Sequence, residues 1–201
     1  TKLDIILKDE IDSSYVSGVK FKILDKNTNE EIITFVTPAG PQRVLGLPIG
    51  NYILKEIEIP NLGYVTINDV DFEVKDTKDI QQLEITQSVS KLEVHIFDEL
   101  ENEKYVEGTK WQIVDKETEE VKDEWVQDGN KHEVKKLPIG NYILKEVEVP
   151  SESGYVTIED VEFTIKDTLE VQQVKVTQSV SKLEVHIFDE LENEKYVEGT
   201  K

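Results

Sequence analysis

Asp25, Asn27 and Asn29 place side-chain oxygens on alternate residues, the way a calcium-binding loop begins. The glycine and the bidentate glutamate that complete such a loop are missing at the required spacing. The matching stretch from Asp115, DKETEE, fits still less well, and a β-hairpin turn is the better reading of both. His95, His132 and His186 have no serine, cysteine or second histidine at ligand spacing. His95 and His186 fall on the outward face of a strand pattern and His132 in a loop, so all three read as solvated or interface residues. There is no cysteine, which removes disulfides and thiolate metal sites. No phosphate-binding loop, dinucleotide motif or nucleophile elbow is present. Neither cofactor nor metal is expected, and no enzymatic activity. Two carboxylates remain, Glu56 and Glu146, each closing the decapeptide LPIGNYILKE, which is written from Leu47 and again from Leu137.

A decapeptide repeated about ninety positions apart points to a repeated domain. TKLDIILKDE at Thr1 matches SKLEVHIFDE at Ser90 and Ser181, GVKFKILD at Gly18 matches GTKWQIVD at Gly108, and GYVTINDVDFEVKDT at Gly63 matches GYVTIEDVEFTIKDT at Gly154. Residues 86–110 recur letter for letter at 177–201. A period this long exceeds solenoid units and equals a small autonomous domain. The expected division is repeat 1 at 1–88, repeat 2 at 89–179, and the first strand or so of a third repeat at 180–201. The chain starts and stops inside strand patterns, which reads as a piece of a longer protein. The join, TQSVSKLEV, lacks proline and glycine, so one repeat should run almost directly into the next as a stiff rod.

The elements that must position the carboxylates are strands. Leu3, Ile5 and Leu7 alternate, as do Val19, Phe21 and Ile23, and the intervening strings DKNTNEE, TPAGP, IPNLGY and KDTKD are turn chemistry. Seven or eight short strands per repeat imply an all-β chain of tandem antiparallel β-sandwiches arranged head to tail. Pro48 and Gly50 make the turn into a central strand, Tyr52 and Leu54 point inward, Pro60 ends that strand, and Gly63 bends the backbone before Tyr64 packs. A net charge of −20 disfavours nucleic acid and anionic membrane surfaces as partners. No apolar run is long enough to insert in a membrane.

With its flanks, LPIGNYILKE resembles the signature of the collagen-adhesin B-type repeats of Gram-positive surface proteins, a prealbumin-like sandwich family. The matching positions are Leu47, Pro48, Gly50, Tyr52, Leu54, Glu56, Pro60, Gly63 and Tyr64, then Leu137, Pro138, Gly140, Tyr142, Leu144, Glu146, Pro150, Gly154 and Tyr155. The resemblance implies a possible covalent staple, in which a lysine on the first strand joins an asparagine on the last while the motif glutamate moves protons. Here the lysine position holds Leu7 and Ile96 (Ile187 in the partial copy), and the acceptor position holds Gln87 and Gln178. Lys8 is one residue away on the other face, where a register slip or a bulge would be needed to turn it inward, and repeat 2 has no lysine for the same purpose. Glu56 and Glu146 are thus inward carboxylates without their usual amine. They are expected to reach a sheet edge or accept a hydrogen bond, or, if buried unpaired, to have a raised pKa.

The resemblance implies stalk repeats of a cell-wall-attached surface protein or adhesin, outside the cell, with neighbouring repeats as partners. Each sandwich would add roughly 30–45 Å of reach. Alternatives are repeats that themselves hold a host extracellular-matrix protein, and a fibre subunit in which the segment KLEVHIFDELENEKYVEGTK completes another sandwich by strand addition. Phe97 and Phe188, apolar on an outward face near each join, are either ordinary exposed aromatics or packed against the preceding repeat.

Overall fold

The computed structural model describes residues 1–101 and 103–186; the greater part of the expected third-repeat segment, including Ile187 and Phe188, lies outside the described residues. Repeat 1 contains β1 (Lys2–Asp9), β2 (Lys20–Asp25), β3 (Glu31–Val36), β4 (Gln42–Leu45), β5 (Gly50–Glu58), β6 (Val70–Val74) and β7 (Gln81–Gln87). Repeat 2 contains β8 (Lys91–Asp98), β9 (Glu107–Asp115), β10 (Val121–Asp128), β11 (His132–Lys135), β12 (Gly140–Glu148), β13 (Val161–Ile165) and β14 (Val171–Gln178). Each repeat stacks a three-stranded sheet on a four-stranded one. The orders are β4-β1-β7 and β3-β2-β5-β6, then β11-β8-β14 and β10-β9-β12-β13.

The sandwich is largely antiparallel, with one parallel pair per repeat: β1 runs alongside β7 from Leu3↔Gln81 to Asp9↔Gln87, and β8 alongside β14 from Lys91↔Val171 to Asp98↔Gln178. The first and last strands of each repeat are therefore neighbours pointing the same way.

Period-two alternation builds the interior. Val19, Phe21 and Ile23 are fully buried, Tyr52 and Leu54 lie beside them on the same sheet face from the neighbouring β5, and Leu3, Ile5 and Leu7 of the other sheet complete the core. The same alternation carries Glu56 inward, two residues beyond Leu54. The two cores are separate clusters, one around Phe21 and one around Trp111. Each fully buried large side chain contributes about 1.5–3 kcal/mol. Trp111 takes the place of Phe21, and its indole N–H would be an unmet donor in an apolar core. Thr109 stands where repeat 1 has Val19, and its Oγ1 accepts that N–H at 2.8 Å. The two substitutions act as a pair.

His132 lies in β11, not in a loop. Its ring stacks on Trp125 with centroids 4.0 Å apart, and Nε2 is 2.7 Å from Asp123. His95 is also not solvated: it is 8% exposed, its Nδ1 is 2.7 Å from the Tyr105 hydroxyl, and its ring stacks on Phe97 and Tyr105. Phe97 consequently packs within its own repeat, and the join is made by other residues. In the DKNTNEE turn the Asp25 carboxylate accepts the N–H groups of Asn27 and Thr28, and Asn29 has φ 58°, the local bonding of a tight turn.

Candidate functional site

Two constructions use polar groups in ways that packing alone does not explain. One is the carboxylate–amide pair inside each sandwich. The other is the seam between the repeats.

Glu56 is 6% exposed. Its Oε2 accepts the Ile67 N–H at 2.7 Å, while the Gln87 amide donates to Val65 O at 2.9 Å and bonds the Glu56 carboxyl. In repeat 2, Glu146 Oε2 accepts from Ile158 N at 2.9 Å, and Gln178 Nε2 lies 2.8 Å from Val156 O and 3.4 Å from Glu146 Oε2. The structure thus brings together Glu56 with Gln87 and Glu146 with Gln178. Leu7 and Ile96 occupy the amine positions as core residues, each at most 2% exposed. Lys8 does not turn inward: its ammonium sits 3.3 Å over the Tyr15 ring.

Burial pushes the Glu56 carboxyl up to about 7 against the opposing bonds from Ile67 and Gln87, and burial likewise raises Glu146. The hydrogen-bond inventory points the same way. Glu56 Oε1 and Gln87 Oε1 are both buried acceptors without a donor, as are Glu146 Oε1 and Gln178 Oε1. Each pair is one donor short, and a protonated carboxyl supplies it. With no amine beside it, this carboxyl has no lysine to activate. The intact mass of the folded protein is accordingly expected to equal the sequence mass. A deficit of one ammonia would mean that Lys8 reaches an acceptor after all.

Apart from Gly63 and Tyr64, the seam is built from residues that sequence reading did not single out. Within repeat 2, Ser90 Oγ donates to Leu137 O at 2.6 Å and Lys136 N donates to Ser90 O at 2.9 Å, which fixes the backbone that carries Lys136; Thr1 makes the same two bonds with Leu47 and Gly46 in repeat 1. Asn61 clamps Ile139 through both backbone groups, at 3.0 and 2.8 Å, and Thr66 donates from N and Oγ1 to Asp167 at 2.7 and 2.6 Å. The Lys136 ammonium pairs with Asp9, whose side chain is fully buried and also accepts the Tyr64 hydroxyl at 2.8 Å. Gly63, at φ +84°, lies directly under the Lys136 backbone. Comparing the two repeats position by position would have flagged two of these residues: Lys136 stands where repeat 1 has Gly46, and repeat 2 has Ser151, Glu152 and Ser153 where repeat 1 has Asn61 and Leu62.

Burial alone would raise the Asp9 carboxyl; the Lys136 ammonium, the Ile11 N–H and the Tyr64 hydroxyl outweigh it and hold the group at about 2. A folded pKa below the unfolded value of about 3.9 means that this stabilisation is present above about pH 4 and is lost as pH falls through about 2. Lys136→Met is expected to cost about 2 kcal/mol at neutral pH, read by denaturant unfolding. The cost should shrink toward pH 2. One that stays constant with pH would assign the stabilisation to the lysine stem instead.

The family model described as SpaA, prealbumin-like fold domain, matches residues 1–89 and again 91–180. Among solved structures, the Bacillus anthracis TIE protein is 25% identical with a TM-score of 0.53, over 88% of this chain and 34% of that one. A streptococcal ancillary pilin is 23% identical with a TM-score of 0.41, over 89% of this chain and 62% of that one. BcpA, the major pilin subunit of Bacillus cereus, is 11% identical with a TM-score of 0.39, over 90% and 99%. The chain therefore spans about a third of the first of these proteins and less than two thirds of the second. No curated protein sequence matches it.

Proposed function

Because the chain belongs to the SpaA prealbumin-like fold domain family over both repeats, we propose that it serves as a non-catalytic spacer in a Gram-positive cell-surface protein, giving length and resisting tension. The observation that carries the reading is the parallel first and last strands. The chain enters repeat 1 at the start of β1 and leaves at the end of β7, so tension along the chain pulls the two neighbours in opposite directions. Their ladder, seven consecutive residue pairs from Leu3↔Gln81 to Asp9↔Gln87, is then loaded in shear, and its hydrogen bonds must break together. Repeat 2 has the same arrangement over eight pairs. Where the resemblance implied a covalent link between these strands, this chain has a hydrogen-bond ladder, a Leu7 or Ile96 anchor and a buried glutamine.

The hydrogen-bonded seam supports the second half of the reading, that repeats are held in line. Solution scattering on the full chain is expected to give an elongated particle of roughly 60–90 Å. A compact particle, with the repeats folded side by side, would sink the proposal. A pilus-subunit role is separated from a stalk role by whether the purified chain polymerises. A matrix-binding role is separated by retention on immobilised extracellular-matrix proteins, which a pure spacer does not show.

A further inference from the structure

The far end of repeat 2 reproduces most of the surface that repeat 1 presents to Lys136. The Tyr155 hydroxyl donates to Asp98 Oδ2 at 2.6 Å, as that of Tyr64 does to Asp9. The other Asp98 oxygen accepts the N–H groups of Leu100 and Glu101, as Asp9 accepts that of Ile11. Glu99 accepts from Val180 N and pairs with Lys182, just as Glu10 accepts from Val89 N and pairs with Lys91. Gly154 has φ +77° against +84° at Gly63, and Ser181 N donates to Gly154 O as Ser90 N does to Gly63 O.

Two things differ. A Cβ on Gly63 would fall 2.1 Å from the Lys136 carbonyl oxygen, whereas one on Gly154 would meet nothing within 4 Å. Asp9 is paired with Lys136, whereas among the described residues Asp98 has no ion-pair partner. The carboxylate is already aimed and the left-handed glycine already shaped for close approach by another backbone.

The piece that fills this surface at the first seam is a lysine in the left-handed region, φ 63° at Lys136, directly before Leu137-Pro138. Repeat 1 keeps the backbone there, φ 72° at Gly46, but has no ammonium. We propose that Asp98, Tyr155 and Gly154 form a docking socket for the leading end of another prealbumin-like repeat, and that the socket selects a repeat with lysine before its Leu-Pro over one with glycine. The inference rests on the spacer reading and deepens it by naming the partner. Selection follows from charge: covering Asp98 with a lysine-free surface removes water from the carboxylate and returns no counter-ion. The ion pair matters more here than at the first seam, because Ser151, Glu152 and Ser153 replace the stretch that holds the Asn61 clamp. Repeat 2 carries both plug and socket and can follow itself. Repeat 1 carries only the socket and is suited to lead a series.

Residues 181–201 repeat 90–110 letter for letter, so appending residues 111–180 to the full chain completes a third repeat with the repeat 2 sequence. The chain has no cysteine, so surface cysteines introduced in repeats 2 and 3 take nitroxide labels cleanly. The spin–spin distance distribution is expected to be as narrow as that of an equivalent pair in repeats 1 and 2. It should broaden about twofold when the appended counterpart of Lys136 is methionine or glycine, and equally in Asp98→Asn. As a second readout, carbon-detected titration should show the Asp98 pKa falling when the lysine-bearing repeat is appended and not when the methionine version is. Equal widths and an unmoved Asp98 in all variants would overturn the socket and leave the spacer reading standing. A broad distribution between repeats 1 and 2 of the unmodified chain would instead remove the spacer reading.

Discussion

Gly63→Ala is expected to uncouple the two repeats, while the same change at Gly154 costs little. Both glycines have left-handed φ, so alanine at either position costs about 1 kcal/mol in backbone strain. At Gly154 that is the whole effect, because the added Cβ enters open space. At Gly63 the Cβ would sit 2.1 Å from the Lys136 carbonyl oxygen and 2.8 Å from its Cα. Neither atom belongs to a flexible side chain that could swing away, so the repeats must part. Parting them exposes the Asp9–Lys136 pair and strains the Thr66–Asp167 and Asn61–Ile139 bonds, for a total of about 3–4 kcal/mol. The readout is built into the composition. Both tryptophans, Trp111 and Trp125, are in repeat 2, so their fluorescence follows that repeat while far-UV circular dichroism follows both. The two signals should unfold together in the parent chain and separately in Gly63→Ala. Equal costs at the two glycines would mean that the seam is not closed.

The second large effect is a loss of stability as pH rises toward 8. A carboxyl whose folded pKa lies above its unfolded value binds its proton more tightly in the folded state. Stability then falls as pH rises from the unfolded pKa to the folded one and levels off above it. For Glu56, held by burial at about 7 against an unfolded 4.5, the window is about pH 4.5 to 7 and the loss about 3 kcal/mol. Glu146 shifts in the same direction. Glu56→Gln keeps an oxygen for the Ile67 N–H and adds an amide N–H for the orphaned Gln87 oxygen, without a charge to desolvate. It is expected to be more stable than the parent at pH 8 by about 2–3 kcal/mol, roughly equal at pH 5, and nearly free of the pH dependence in repeat 1. Parent stability that is the same at pH 5 and pH 8 would show that Glu56 reaches water.

These two results concern different levels of the molecule. The carboxylate effect lives inside one sandwich and recurs in each copy, because Glu56 and Glu146 are set inward by the same strand alternation. The glycine effect belongs to the tandem arrangement, because Gly63 matters only when a second repeat is seated on it.

Alternation in Leu3-Ile5-Leu7 and Val19-Phe21-Ile23, the turn residues between runs, and the ninety-residue period were enough to determine an all-β chain of repeated sandwiches. They also determined that Leu7 and Ile96 lie inside and that Glu56 and Glu146 share that interior. Strand periodicity is a local property, and a residue's face follows from counting by two. What only the tertiary structure decided is what each inward group meets. Periodicity cannot show that Gln87 and Gln178 bond those glutamates, that Lys8 rests on Tyr15, or that His132 stacks on Trp125 in a strand. Nor can it show that Lys136 reaches back to Asp9 across 127 residues of sequence. Such contacts are set by how two sheets and two repeats stack, and stacking depends on the summed shape and charge of surfaces drawn from distant parts of the chain.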